Sequence, residues 1–142
     1  KDQLRLSDTM LTGLITTSDL VDTSANSANN GDGTVVKVTT DGGTINNADL
    51  VVLSQIYSND NAALTGMKTD GGDTITFGNA LTENDSFLVT YTDGINSYIA
   101  VATVGSNNTD TSEGLDTVST IIELVGISNL DNLNSSDYTI VT

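Results

Sequence analysis

Apolar and polar side chains alternate most regularly between Ser86 and Gly105, on both sides of the dipeptide Asp93-Gly94. Alternation with a period of two is typical of a β-strand, and Asp-Gly is a favoured hairpin turn. The pattern therefore predicts a β-hairpin. One face of it would carry Phe87, Val89, Tyr91, Tyr98, Ala100 and Ala102. Because the opposite face also holds Leu88, Ile99 and Val101, we expect the hairpin to lie in the middle of a sandwich or to be covered by a partner.

Shorter apolar runs predict four further strands and one ambiguous segment. The strands are expected around Leu4 and Leu6, and over Thr34–Thr39, Val118–Val125 and Tyr138–Thr142. Residues 23–33 lack large apolar side chains and predict a loop. In residues 46–56, Asn and Asp at the start favour a helix and the β-branched run favours a strand; we favour the helix. Residues 133–137 predict a short helical turn.

Composition agrees with a β-rich fold. Thr and Val favour pleated surfaces, and Asn, Asp and Gly favour tight turns. The 142 residues fit one domain, spanning 1–142. We expect an all-β, sandwich- or roll-like antiparallel domain with one or two short helices. The opening residues contain no signal-peptide core, so we read the chain as a fragment or the C-terminal part of a longer protein.

Charge narrows the choice of partners. Nineteen acidic residues against four basic ones give a formal net charge of −15. Such a surface repels nucleic acid and anionic membranes, and no apolar run is long enough to span a bilayer. We therefore expect neither nucleic-acid binding nor membrane insertion. The charge suits high ionic strength or millimolar calcium outside a cell, although it could serve solubility alone.

The amino-acid composition excludes most common kinds of catalytic site. Without histidine or cysteine, the chain cannot build Ser–His or Cys–His nucleophiles or the usual zinc sites. A carboxylate-pair glycoside hydrolase stays as an alternative, but turn geometry already explains most of the acids and few aromatics are present to stack a sugar. We expect a protein that is not an enzyme.

Both ends of the chain carry short motifs of a known family. Lys1–Ser7 is similar to the strand that follows the glycine–aspartate repeats of RTX proteins, which are calcium-dependent bacterial exports. Ile121–Ile127, Leu130, Leu133 and Ser136–Tyr138 resemble the C-terminal ending of the same proteins. The predicted hairpin lies where those domains often carry one. The chain thus resembles the C-terminal β domain of RTX-like, type I-secreted surface proteins, over about half its length.

The resemblance implies a non-catalytic cap, export and assembly module at the end of a secreted bacterial surface protein, of the surface-layer or adhesin type. It places the chain outside the cell or on the bacterial surface, with an export signal in or beside Ile121–Thr142. The calcium-binding nonapeptide of the family is absent, so no calcium ligand carries over directly.

Calcium remains a possible cofactor on chemical grounds, because carboxylates beside glycines can converge with backbone carbonyls on a hard cation. Asp70 and Asp73 are the candidate metal ligands. The wider set of aspartates in glycine turns is Asp32, Asp41, Asp70, Asp73 and Asp93. Ordinary turn preference explains the same dipeptides without any metal.

The absence of proline suggests an assembly role as an alternative function. Strand edges are normally protected by Pro or Lys, and here they would be nearly unguarded. We expect a homo-oligomer or polymer joined through strand edges, with the first or last strand as the preferred edge. In the alternative reading, the chain is the subunit of an extracellular filament or lattice built by β-strand addition.

Overall fold

The computed structural model describes ten elements, nine strands and one helix. The described residues are 4–7, 35–37, 43–45, 50–68, 70–77, 83, 86–105, 114–130 and 138–141. In chain order the elements are β1 (Leu4–Ser7), β2 (Val35–Lys37), β3 (Gly43–Ile45), β4 (Leu50–Ile56), α1 (Asp60–Met67), β5 (Ile75–Phe77), β6 (Ser86–Thr92), β7 (Ser97–Val104), β8 (Leu115–Leu124) and β9 (Tyr138–Val141).

The strands form one large sheet and two small ones. The large sheet has five strands in the order β2-β4-β6-β7-β8. Its first three strands run parallel, and β7 and β8 continue it antiparallel. Two parallel pairs, β3 with β5 and β1 with β9, complete the described strands. The mostly-β expectation is confirmed, whereas the purely antiparallel arrangement is wrong and the fold is mixed.

Parallel pairing follows from how the chain connects successive strands. A hairpin reverses the chain, whereas a crossover returns it in the same direction. From β2 to β6, consecutive strands alternate between the large sheet and the β3–β5 pair. Each return to the large sheet therefore passes through the smaller one, and α1 lies on the second such crossover. Among the paired neighbours of the large sheet, the connections after β6 and β7 reverse the chain.

The β6–β7 hairpin is confirmed, and the structure shows its register. Phe87 pairs with Ala102 and Tyr91 with Tyr98 across a loop of residues 93–96. In this loop the Asp93 N–H donates to the Asn96 carbonyl oxygen at 3.1 Å. Gly94 adopts φ +93°, a conformation that disfavours any residue with a Cβ.

Both faces of the hairpin strands β6 and β7 are mostly buried, as the alternation predicts. One face of the large sheet packs with Met67 of α1 and Ile75 of β5 into the main core. The sheet contributes to that core Val51, Leu53, Phe87, Val89, Tyr91, Ala100, Ala102, Val104, Leu115 and Val118. On the other face lie Val52, Leu88, Thr90, Ile99 and Val101, which are also buried. The Thr90 hydroxyl, fully buried, makes no hydrogen bond within the described part of the chain.

The helix expected in residues 46–56 is wrong, because residues 50–56 form β4. This strand lies between β2 and β6 in the parallel part of the sheet. Val51 and Val52 are consecutive yet both buried, one on each face. A strand buried on both sides has a continuous apolar run, which periodicity alone cannot distinguish from a helical segment.

The single described helix, α1, lies where the sequence pattern does not predict one. Asn59 caps it, with its side-chain oxygen accepting from the Ala62 N–H at 2.9 Å. Asp60 follows in the first turn, where a negative charge stabilises the helix dipole. Ala63 and Met67 are its buried core residues. The predicted helical turn at 133–137 and the loop at 23–33 lie outside the described residues.

The remaining strand predictions are confirmed with small changes of boundary. The first strand covers Leu4–Ser7, the second Val35–Lys37, and the last Tyr138–Val141. The strand expected from Val118 begins earlier, at Leu115, and ends at Leu124. No helix in the described part of the chain is long and apolar enough to cross a membrane.

Candidate functional site

Asp73, a candidate metal ligand, is fully buried in the turn that precedes β5. Its Oδ2 accepts hydrogen bonds from the Ser54 N–H at 3.0 Å, the Gln55 N–H at 2.8 Å and the Tyr57 hydroxyl at 2.9 Å. Its Oδ1 accepts from the Ser54 hydroxyl. We call these four residues the Asp73 network. A buried carboxylate with four donors fastens the crossover loop to the end of β4.

Asp70, the other candidate ligand, lies in a different environment. It is exposed and adopts φ +66°, in a tight turn where the Gly71 N–H donates to the Lys68 carbonyl oxygen at 2.9 Å. A cation bound by Asp73 would have to replace hydrogen bonds of the Asp73 network. Among the described residues, no three His, Cys, Asp or Glu side chains are grouped so as to hold a metal ion. Calcium binding stays a prediction, and Asp32 and Asp41 lie outside the described residues.

Tyr57 joins the Asp73 network to α1. Burial, and then the hydrogen bond and negative charge of Asp73, raise the pKa of Tyr57, so its hydroxyl remains a donor. The Tyr57 ring lies against the backbone of Gly66, and a Cβ at position 66 would overlap that ring. The Gly66 carbonyl oxygen also accepts the Asp73 N–H at 3.0 Å. Together, this hydrogen bond and the contact with the Tyr57 ring hold α1, the crossover loop and the end of β4 in place.

Asp60, at the start of α1, binds to β8, the outer strand of the large sheet. Its carboxylate accepts from the Thr120 N–H at 3.0 Å, from the Thr120 hydroxyl and from the Tyr91 hydroxyl at 2.6 Å. Partial burial raises the pKa of Asp60, but the hydrogen bonds from Thr120 and Tyr91 outweigh it, so the pKa is lowered overall. The backbone N–H of Thr120 in the outer strand β8 is thus occupied within the chain.

This contact bears on the expectation that proline-free strand edges are nearly unguarded. In β8 it occupies one backbone N–H, and assembly through strand edges stays a prediction. The pairing of β8 with β7 also has two irregularities, between Ile99 and Ala100 and between Thr103 and Val104. An irregular edge with one N–H already bonded is a poorer template for another strand than a regular edge. The sequence gives no cue for the Asp60 contact, because Asp60 and Thr120 lie far apart in the chain.

A third tyrosine–aspartate bond lies in the hairpin loop. The Tyr98 hydroxyl donates to Asp93 Oδ2 at 2.7 Å, while Asp93 Oδ1 accepts the N–H groups of Ile95 and Asn96. The Asn96 N–H and then the Tyr98 hydroxyl lower the pKa of Asp93. Each tyrosine whose side chain the structure describes therefore donates to an aspartate. With four basic residues in the whole chain, neutral donors stabilise these carboxylates.

Four large apolar side chains are exposed at one end of the large sheet. They belong to the end of β4, the β6–β7 loop and the turn after β8, and we call them the apolar end: Ile56, Ile95, Val125 and Ile127. Hydrophobic alternation does not reveal this surface because its members lie in three separate segments. The available signal is an apolar residue beside a turn glycine, as in Gly94-Ile95 and Gly126-Ile127.

No protein-family model, curated protein or solved structure matches the chain. The contacts described above therefore carry the functional argument.

Proposed function

We propose that the chain is a non-catalytic structural module of a secreted bacterial protein, working outside the cell or on its surface, which closes one end of a roll-like parallel β stack. The observation that supports this proposal is the difference between the two sides of the sheets. At one side of the large sheet the described strands are parallel, and at the other they are antiparallel, with one N–H of the outermost strand bonded to Asp60.

The parallel side ends in β2 and β3. Among the described strands each has a single neighbour, β4 and β5 respectively. Since β2 and β3 follow one another in the chain and belong to different sheets, they form one turn of the alternating winding. A further turn of the same kind, from another part of a longer protein or from a second copy, could pair beside both strands at once.

The opposite side is built to stop such growth. After β6 the chain reverses twice, so the parallel pattern ends with β7 and β8. Asp60 then occupies the Thr120 N–H of β8. In the large sheet the β2 side is therefore the better template for another strand, which favours a cap over a filament subunit, since a filament needs two complementary ends.

Single spin labels can test which side accepts another strand, because the chain contains no cysteine. Lys37→Cys places a label on β2, and Thr117→Cys places the matched control on β8. With calcium and salt present to screen the charge, we expect mass to rise with concentration in light scattering, and the labels of two copies to approach each other only at position 37. A clean monomer at high concentration, or equal approach at position 117, would contradict the proposal.

The ends of the chain need a separate test, because β1 and β9 pair with each other. Deleting Lys1–Ser7 leaves β9 without that partner, and deleting Tyr138–Thr142 does the same to β1. If the terminal strands form the assembly edge, either deletion changes the mass measured by light scattering. If only the β2 side assembles, both variants retain the association of the full chain.

Export is the second part of the proposal. A reporter fused upstream of Ile121–Thr142 should leave a bacterial host that carries a type I exporter. Part of this segment lies in β8 and β9, but a signal read before folding can also serve the folded sheet. Retention of the fusion in cells whose exporter releases its own substrate would refute this part alone.

A further inference from the structure

The apolar end places its four exposed side chains at one end of the large sheet. The exposed fractions are 68% for Ile56, 71% for Ile95, 77% for Val125 and 48% for Ile127. These are the large apolar side chains exposed in the described part of the chain, and all belong to the same end of the sheet. Isolated exposed apolar residues need no explanation, but a cluster drawn from three segments is typical of an interaction site.

Pairing and packing bring the three segments together. Ile56 at the end of β4 pairs with Thr92 at the end of β6. Its Cδ1 lies 3.6 Å from the place where a Cβ on Gly94 would be. Ser97, which opens β7, pairs with Leu124 at the end of β8. The β6–β7 loop and the turn after β8 are therefore neighbours, with Ile56 beside the loop.

Hydrogen bonds hold this surface in a defined shape. The Asn96 side-chain oxygen accepts the Gly126 N–H at 2.9 Å, and the Ser97 hydroxyl donates to the Ile127 carbonyl oxygen. Within the loop, Asp93 Oδ1 accepts the Ile95 N–H at 2.8 Å. Because the backbone around the apolar side chains is already fixed, a partner would pay little ordering cost on binding.

The charge around the apolar end distinguishes between its two simplest binding partners, a second copy of the chain and a basic polypeptide. Asp93 lies in the same loop as Ile95, and Glu123 precedes Val125 by two positions and accepts from the Asn96 side-chain amide at 3.0 Å. The apolar end is thus bordered by carboxylates on a chain of net charge −15. A second copy would bring the same charges to the contact, whereas a basic partner would neutralise them.

We propose that the apolar end of this protein docks a basic polypeptide segment whose apolar side chains cover Ile56, Ile95, Val125 and Ile127 while its Lys or Arg side chains face Asp93 and Glu123. The surface lies at the end of the strands and not along a strand edge. The inference is therefore independent of the cap function proposed above, and either can fail alone.

Fluorescence anisotropy with two labelled peptides tests the proposal. One peptide alternates Leu with Lys, and the other, of equal length and charge, alternates Ser with Lys. We expect the Leu–Lys peptide to bind more tightly, because general attraction to an acidic protein is common to both. The double substitution Ile95→Ser with Val125→Ser should weaken Leu–Lys binding about tenfold or more, as removal of central apolar contacts does.

A charge variant and its control complete the design. Glu123→Gln should weaken binding while the fold, checked by circular dichroism, is unchanged. Glu83→Gln removes an equally exposed carboxylate that precedes β6, at the opposite end of that strand, and should have no effect. Equal binding of both peptides, or equal loss in the two glutamate variants, would overturn the proposal. So would self-association that the serine variants abolish, because the occupant would then be a second copy.

Discussion

Replacing Asp73 with Asn should destabilise the fold by about 3 kcal/mol. The substitution keeps the size of the side chain but removes its charge, and one of its two acceptor oxygens becomes an NH₂ group. Asp73 is fully buried and accepts four hydrogen bonds, of which the one from Tyr57 is itself buried. A hydrogen bond to a charged group contributes about 1.5–3 kcal/mol, and a buried donor left unpaired costs about 1–3 kcal/mol. Ser54 and Gln55 are exposed, so water can replace part of their loss.

Urea unfolding followed by far-ultraviolet circular dichroism gives the free energy of unfolding. Asp70→Asn is the matched control, because Asp70 is exposed and Asn also tolerates its positive φ; it should stay within about 0.5 kcal/mol of the wild type. Tyr57→Phe should cost about 1–2 kcal/mol, and its combination with Asp73→Asn should cost less than the sum of the two. If Asp73→Asn is no more destabilising than Asp70→Asn, the Asp73 network does not anchor the crossover.

Four further outcomes are expected. The pKa of Asp60 is lowered in the folded state, so its contribution to stability is present above pH 3.8, its ordinary pKa, and is lost as the pH falls through the folded value. Asp60→Asn should therefore reduce the loss of stability at acid pH, measured by urea unfolding at several pH values. Gly66→Ala should destabilise by several kcal/mol in the same assay, because a methyl group there overlaps the ring of Tyr57. Thr90→Val should raise the melting temperature and stabilise the fold by about 1 kcal/mol. The substitution nearly conserves volume and removes a buried hydroxyl that has no hydrogen-bond partner in the described part of the chain. If calcium binds specific sites, it should raise the melting temperature at low salt more than magnesium does at equal ionic strength. If Asp73 is a ligand, Asp73→Asn should remove that difference. Equal shifts from the two ions would mean that both only screen charge.

Local patterns in the sequence predict the hairpin well, because its two strands and their turn are contiguous. Phe87, Val89 and Tyr91 share a face with Ala100 as a matter of parity alone. The same rule fails for β4, where Val51 and Val52 are both buried and the alternation disappears. Direction of pairing is equally hidden, because it depends on where each crossover returns.

The candidate sites also depend on contacts between distant segments, which local sequence patterns do not reveal. The Asp-Gly context draws attention to Asp70 and Asp73 but does not reveal that one is exposed and the other buried under Tyr57. The helix α1 had a local signal in Asn59, a favoured N-cap residue, but is too short for a strong periodic pattern. The apolar end and the contact of Asp60 with β8 arise only when distant segments meet, so no local pattern contains them.

The pairing of β1 with β9 has a consequence for how the chain folds. Leu4 pairs with Tyr138 and Ser7 with Val141, so this two-stranded sheet joins positions nearly a whole chain length apart. Contacts of such long sequence separation carry the greatest loop-closure entropy and slow the folding rate. The hairpin β6–β7 is local and can form within microseconds, as hairpins generally do. We therefore expect the β1–β9 sheet to form last. During synthesis from the N-terminus, β1 cannot pair until residues 138–141 have been made.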